Sequence, residues 1–171
     1  MLHVCSLADM PGCVARLRPR HVVSLLPPHE LPATPAGLAP ERHLRLGLDD
    51  VYEALPGQVA PARSHIEALV GFAAGWDRDT PLLVHCFAGI SRSTAAALIL
   101  LCLESERREA EAAELLARQA PHAQPNRRMI ELADELLGRR GRLSAAVAAM
   151  GPASLVMPGP LVTLPSRLPP R

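Results

Sequence analysis

The sequence predicts an α/β domain of three layers, in which a small, mostly parallel central sheet is flanked by helices. Short apolar or alternating stretches have the length and composition of strands, and longer stretches with helical spacing are interleaved with them. One strand has no polar residue between Pro81 and Val84, which is typical of a strand buried on both faces of a parallel sheet. The predicted strands are Leu2–Leu7, His21–Leu26, His43–Leu48 and Thr80–His85.

Five helices are predicted from apolar spacing and from residues that start or stop helices. Asp9-Met10-Pro11 begins the first one, and Pro61 suits the first turn of the second. The segment Ser91–Glu104 is apolar nearly all round, so we expect a buried central helix there. Gly138 ends the last helix. After the first, which starts at Asp9, the predicted helices are 61–76, 91–104, 107–120 and 125–137.

The chain divides into one predicted domain and a tail. Residues 1–150 carry all the periodic segments, whereas residues 151–171 contain six prolines in 21 residues and no periodic pattern. We therefore expect a single domain over 1–150 and a mobile, proline-rich C-terminal tail, 151–171, that lies outside the fold.

Composition excludes several classes of function. The 171 residues are 49% apolar and 20% charged, enough for a core and unlike a disordered chain. A formal net charge of +1 gives no excess to drive binding to nucleic acid or to an anionic membrane, so neither is expected as a partner. All 18 basic residues are arginine, which excludes lysine Schiff-base chemistry.

The four cysteines are scattered without a C-x-x-C pair, and the longest apolar run, Ala95–Leu103, has nine residues. We expect a cytoplasmic location with free thiols.

The residues that carry chemistry lie between the fourth strand and the buried helix that follows it. The segment runs His-Cys-Phe-Ala-Gly-Ile-Ser-Arg-Ser-Thr from His85 to Thr94. A strand–loop–helix of this kind turns backbone N–H groups and a helix N-terminus toward an anion. The thiolate of Cys86 is favoured there as a nucleophile. Gly89 lets the loop approach its ligand, and Arg92 can form a two-pronged contact with an oxyanion.

This segment resembles the signature H-C-x-x-G-x-S-R-S/T of the cysteine-dependent protein tyrosine phosphatases, in particular their dual-specificity branch. The overall pattern is most similar to short bacterial tyrosine phosphatase-like proteins, and the all-arginine composition is consistent with a GC-rich bacterial source. The resemblance implies that Cys86 is the nucleophile of a phosphocysteine mechanism, that Ser93 assists breakdown of the intermediate and that His85 supports the thiolate. It implies no metal and no cofactor. The phosphate would be bound by Arg92 and by the backbone amides of Phe87, Ala88, Gly89, Ile90, Ser91 and Arg92.

The general acid is expected on a loop before the nucleophile, again by resemblance. Leu46–Asp50 is similar to the family's acid loop, with Asp49 and Asp50 lying 37 and 36 residues before Cys86. Asp50-Val51 matches the pattern better, so Asp50 is the favoured acid, with Asp49 as the alternative and a loop or N-cap role for the pair as the other possibility. Gln124-Pro125-Asn126 resembles the family's Pro-Asn helix start, where Asn126 would brace the loop.

The expected reaction is hydrolysis of protein phosphotyrosine, with phosphoserine and phosphothreonine left open. One alternative is a phosphatase of small-molecule or inositol phosphates, although the uncharged loop positions Phe87, Ala88 and Ile90 argue against a highly charged substrate. A second alternative is a catalytically silent phospho-binding module. The expected partner is thus a phosphorylated protein or a small phosphate ester.

Overall fold

The computed structural model describes residues 1–105 and 107–170. Its elements follow the predicted order closely, and two of them were not predicted. The strands are β1 (Leu2–Ser6), β2 (His21–Leu26), β3 (His43–Gly47), β4 (Leu82–Cys86) and β5 (Val162–Leu164). The α-helices are α1 (Met10–Leu17), α2 (Arg63–Ala74), α3 (Arg92–Cys102), α4 (Glu109–Gln119), α5 (Arg127–Leu136) and α6 (Arg142–Ala148).

The central sheet has the order β3-β2-β4-β1-β5, and only β5 runs antiparallel to its neighbour. Strand β4 pairs with β1 on one side and with β2 on the other, so it lies in the middle of the sheet. All five of its residues are buried, as its unbroken apolar sequence predicted. The predicted α/β fold with a mostly parallel sheet is confirmed.

Helices cover both faces of the sheet, which makes three layers. On one face α1 packs Met10 and Cys13 against Cys5 and Leu83. The other face carries the main core, where α3 crosses β4, β1 and β2 and is itself surrounded by α2, α4 and α5. Every residue of α3 is buried. Its position fixes the strand–loop–helix connection at the centre of the molecule.

Helix α6 was not predicted, because its N-terminus is capped by a distant side chain. The preceding Gly141 has a left-handed backbone, with φ of 78°, and no side chain with which to cap the helix. Asp134 on α5 supplies the acceptors instead: its carboxylate accepts from Leu143 N–H at 2.9 Å and from Ser144 N–H at 2.8 Å. A cap contributed from another helix leaves no local signal in the sequence.

The prediction that 151–171 lies outside the fold is wrong for the segment around β5. Strand β5 pairs with β1, and Leu164 is completely buried. Buried Arg78 then holds the chain beyond β5, donating to Ser166 O at 2.9 Å and to Leu100 O at 3.1 Å. The strand is only three residues long and is followed directly by Pro165, so periodicity could not reveal it.

No helix in the described ranges has the length and apolar character that crossing a membrane requires. The four cysteines are buried and form no disulfide.

Candidate active site

The site lies at the carboxyl edge of the parallel strands, where ligand sites of open α/β sheets are found. Cys86 is the last residue of β4 and is buried, and Ser93 lies in the first turn of α3. The Cys86 Sγ and Ser93 Oγ atoms are 3.1 Å apart. A hydroxyl at this distance can donate a hydrogen bond to a thiolate, as the role predicted for Ser93 requires.

The loop from Phe87 to Ser91 follows Cys86 directly and has backbone N–H groups that make no hydrogen bond to the described residues. Its carbonyls are engaged elsewhere: Phe87 O accepts from Leu7 N–H at 3.0 Å and Ala88 O from Gly159 N–H at 2.9 Å. Within the described ranges, no acceptor takes a hydrogen bond from the amides of residues 88–91. Because backbone N–H groups are rarely left unpaired, this loop has the form of an anion cradle.

Gly89 is required by the path of this loop. Its φ is +74°, and a Cβ there would lie 2.9 Å from the backbone of both Cys5 and Ser6. Both the positive φ and the close approach to β1 exclude a larger residue.

Arg92 is the first residue of α3 and follows the cradle loop directly. The residue is 5% exposed, and its Nη1 donates to Leu48 O at 2.8 Å. Its Nε is buried and has no hydrogen-bond partner among the residues that the structure describes. A buried cationic N–H that makes no hydrogen bond is costly, and an anion in the cradle could accept one from it.

Asp50 is held at the rim of the cradle by two donors. Its Oδ1 accepts from Ser91 Oγ–H at 2.7 Å and from Asn126 Nδ2–H at 2.8 Å. Its Oδ2 lies 3.8 Å from Arg92 Nε. One carboxyl oxygen is therefore fixed by hydrogen bonds, and the other faces the group that would bind the phosphate.

Asp49, the alternative acid, is engaged within its own loop. Its Oδ2 accepts from Val59 N–H at 2.7 Å, and its own N–H donates to Val59 O at 2.7 Å. These two bonds close the loop from residue 49 to 59. Asp50 therefore lies at the cradle, whereas Asp49 stabilises the loop that carries Asp50.

Asn126 connects three parts of the site. Its side-chain oxygen caps α5 by accepting from Met129 N–H at 3.1 Å, while its amide donates to Asp50. Its backbone N–H donates to Ser91 O at 3.3 Å. Asn126, predicted to brace the loop, is fully buried and contacts both the loop that carries Asp50 and the cradle.

His85 belongs to a buried hydrogen-bonded chain that crosses three strands. Its Nε2 lies 2.6 Å from Ser24 Oγ, and the same hydroxyl lies 2.8 Å from Nε2 of His43. The chain ends at Thr34, whose hydroxyl is 3.0 Å from Nδ1 of His43. Burial lowers the pKa of both imidazoles to about 4, so both rings are neutral at pH 7.

Three sets of groups that contact the site residues were not predicted from the sequence. They are the Leu48 carbonyl that holds Arg92, the Ser24–His43 pair behind His85, and Gly159, which binds the back of the cradle. Each is made by a backbone group or by a strand distant in sequence. A local motif cannot encode such contacts, although the polar Ser24 within an apolar strand marks an unusual position.

The chain was compared with known protein families, sequences and structures. No family model matches the chain, and no curated protein sequence does. Several solved structures do match the chain. DUSP15 aligns with a TM-score of 0.57 and 21% identity over 88% of this chain and 92% of that chain. PTPMT1 aligns with a TM-score of 0.59 and 22% identity over 83% and 95%. Human DUSP28 aligns with a TM-score of 0.60 and 21% identity over 81% and 89%. The chain therefore has the fold of the dual-specificity cysteine phosphatases.

Proposed function

We propose that this protein is a phosphomonoesterase that hydrolyses protein phosphotyrosine through a phosphocysteine intermediate. The observation that supports it most is the arrangement around Cys86: a buried sulfur at the mouth of an amide-lined loop, beside a buried arginine whose Nε makes no hydrogen bond to the described residues. Asp50 stands next to that arginine. A nucleophile, an oxyanion cradle and an acid are thus present within one site.

In the first step, the Cys86 thiolate attacks phosphorus, an S–P bond forms and the P–O ester bond breaks. Asp50, protonated at this stage, transfers its proton to the leaving oxygen, which departs as a phenol or an alcohol. Arg92 and the loop amides bind the equatorial oxygens, whose charge they stabilise without a Lewis acid.

In the second step, water attacks the phosphocysteine. The Asp50 carboxylate accepts a proton from the water as its oxygen bonds to phosphorus, and the S–P bond breaks. Ser93 donates a hydrogen bond to the departing sulfur, for which its 3.1 Å distance is suited. Inorganic phosphate leaves, and both Cys86 and Asp50 return to their starting protonation states.

The uncharged rim of the cradle favours a phosphoprotein over an inositol phosphate as the substrate. Phe87 is exposed beside Cys86 and, with Ala88 and Ile90, gives the loop no cationic side chain. A highly charged inositol phosphate would lack partners there. It remains the alternative substrate class, because PTPMT1 has also been solved in complex with PI(5)P.

A substrate panel tests the proposal. Purified protein is assayed with phosphotyrosine, phosphoserine and phosphothreonine peptides and with inositol phosphates, with and without a chelator, using Cys86→Ser as the blank. We expect turnover of the phosphotyrosine peptide that survives the chelator and disappears in Cys86→Ser. Undiminished turnover in Cys86→Ser would overturn the mechanism, and binding without turnover by the wild type would favour the phospho-binding module.

A further inference from the structure

The segment that follows α6 returns to the cradle and forms a wall beside it. It is tied at two points: Ser154 N–H donates to Pro121 O at 2.8 Å, and Gly159 N–H donates to Ala88 O at 2.9 Å. Between these ties, Leu155 and Met157 are 95% and 80% exposed. Exposed leucine and methionine side chains on a segment anchored to a binding loop have no role in the core.

Two cavities meet along this wall. The first, of 470 Å³, borders the cradle: it is lined by Ala88, Ile90 and Ser91 of the cradle loop, by Asp50 and Gln124, and by the segment 154–157. The second, of 820 Å³, is lined by the segment 150–153, the start of α5 and the loop after β3. Gln124 lines both. The two cavities therefore adjoin at Gln124, and together they are called the groove below.

The chemistry of the walls changes along this groove. Beside the cradle the wall is apolar, with Leu155 and Met157 opposite Ile90. Farther along, arginines and glutamates line it together, including Arg127 and Glu131. Charges of both signs disfavour an acyl chain, which would desolvate them without pairing them. An extended polypeptide, which brings its own donors, acceptors and mixed side chains, suits such a wall.

We propose that this groove binds the polypeptide that carries the phosphorylated residue, and that Leu155 and Met157 select substrates with an apolar side chain next to that residue. The inference rests on the proposed function and deepens it, because it names the substrate as an extended peptide segment and assigns its recognition to the C-terminal wall. The nearer cavity of the groove is lined by Ala88, Ile90 and Ser91 of the cradle loop, and this neighbourhood is what would place phosphate and chain together.

The test compares kcat/KM for two phosphotyrosine peptides of the same length, measured with the full-length protein. One has leucine on both sides of the phosphotyrosine, and the other has serine at those positions. We expect the wild type to favour the leucine peptide about tenfold, the order expected for partial burial of leucine side chains. In the double variant Leu155→Ser/Met157→Ser that ratio should fall to about one.

Leu55→Ser is the matched control. Leu55 is an exposed leucine on the loop after β3, and it is absent from the described lining of both cavities. This variant should keep the wild-type ratio. Since the replaced side chains in all these variants are exposed, loss of folding is not expected to confuse the comparison.

A small aryl phosphate separates this inference from the proposed function. If the wild type hydrolyses neither the aryl phosphate nor the peptides, the proposed function fails. If it hydrolyses them but the double variant keeps the tenfold preference, the wall does not select peptides and the inference is wrong. Loss of hydrolysis of a short-chain phosphatidylinositol phosphate, with both peptides unaffected, would assign the wall to a lipid and would also contradict the inference.

Discussion

At the scale of single residues, one guanidinium nitrogen of Arg92 holds a backbone carbonyl, and another is free to donate a hydrogen bond to a ligand. Nη1 donates to Leu48 O, and the buried Nε has no hydrogen-bond partner among the described residues, with Asp50 Oδ2 lying 3.8 Å from it. A lysine would keep the charge, but one ammonium cannot both hold the carbonyl and present directed donors to a phosphate. We expect Arg92→Lys to lower kcat/KM for an aryl phosphate by roughly 10²–10³.

Vanadate affinity, measured by inhibition, should fall together with turnover in Arg92→Lys. The exposed Arg127 gives the control, since Arg127→Lys leaves the cradle unchanged. An Arg92→Lys protein within twofold of the wild type in both measurements would show that Arg92 does not bind the phosphate.

The two neighbouring aspartates should behave differently on substitution. Asp50→Asn removes the proton donor while preserving hydrogen-bonding capacity, so turnover should fall by roughly 10²–10⁴ for an alkyl phosphate. The loss should be small for an activated aryl phosphate, whose leaving oxygen hardly needs a proton.

Asp49→Asn is the matched comparison, because Asp49 braces the loop through Val59 and does not face the cradle. Its effect should be smaller and should not depend on the leaving group. If the leaving-group dependence instead followed Asp49, the acid would be its carboxyl and not that of Asp50.

At the scale of elements, the histidine chain joins β4, β2 and β3 and should make stability depend on pH. Below pH 6.5 the imidazoles of the unfolded chain become protonated, whereas burial holds His85 and His43 neutral down to about pH 4 in the folded protein. The unfolded state then binds more protons. The free energy of unfolding should therefore fall as the pH falls from 6.5 to 4, and should be unaffected by these groups above that range.

Urea unfolding at pH 7 and pH 5 measures this dependence. His43→Gln should reduce the stability lost between the two pH values by about 1–2 kcal/mol, since one of the two imidazoles no longer takes up a proton on unfolding. His29, whose side chain is 80% exposed, supplies the control, and His29→Gln should retain the wild-type difference. An unchanged pH dependence in His43→Gln would contradict the assignment.

At the scale of the whole molecule, local signals predicted most of the fold and part of the site. Strands β1 to β4 and helices α1 to α5 are visible as runs and periodicities, and the strand–loop–helix around Cys86 is contiguous in sequence. What could not be predicted depends on contacts between distant segments. Helix α6 is capped by Asp134, β5 completes an edge next to β1, and Gly159 binds the loop from the far end of the chain.

The site shows the same division. Sequence spacing brought Cys86, Arg92 and Ser93 together because they lie on one loop and one helix turn. For the acid, the resemblance favoured Asp50 over Asp49, but the contacts that separate the two are made by Ser91, Asn126 and Val59, and spacing could not show them. The proline-rich composition of the last 21 residues concealed a strand and a wall of the groove.

Trapping the intermediate tests the central claim most directly. Asp50→Asn protein is mixed with an activated aryl phosphate, quenched in acid within the first turnover and digested for mass spectrometry. Since Asp50 is also needed to activate water, the phosphorylated enzyme should accumulate, with a burst of phenol equal to the enzyme concentration and one phosphoryl group on Cys86. Turnover without a burst and without phosphorylated Cys86, or a phosphoryl group on another residue, would contradict the mechanism.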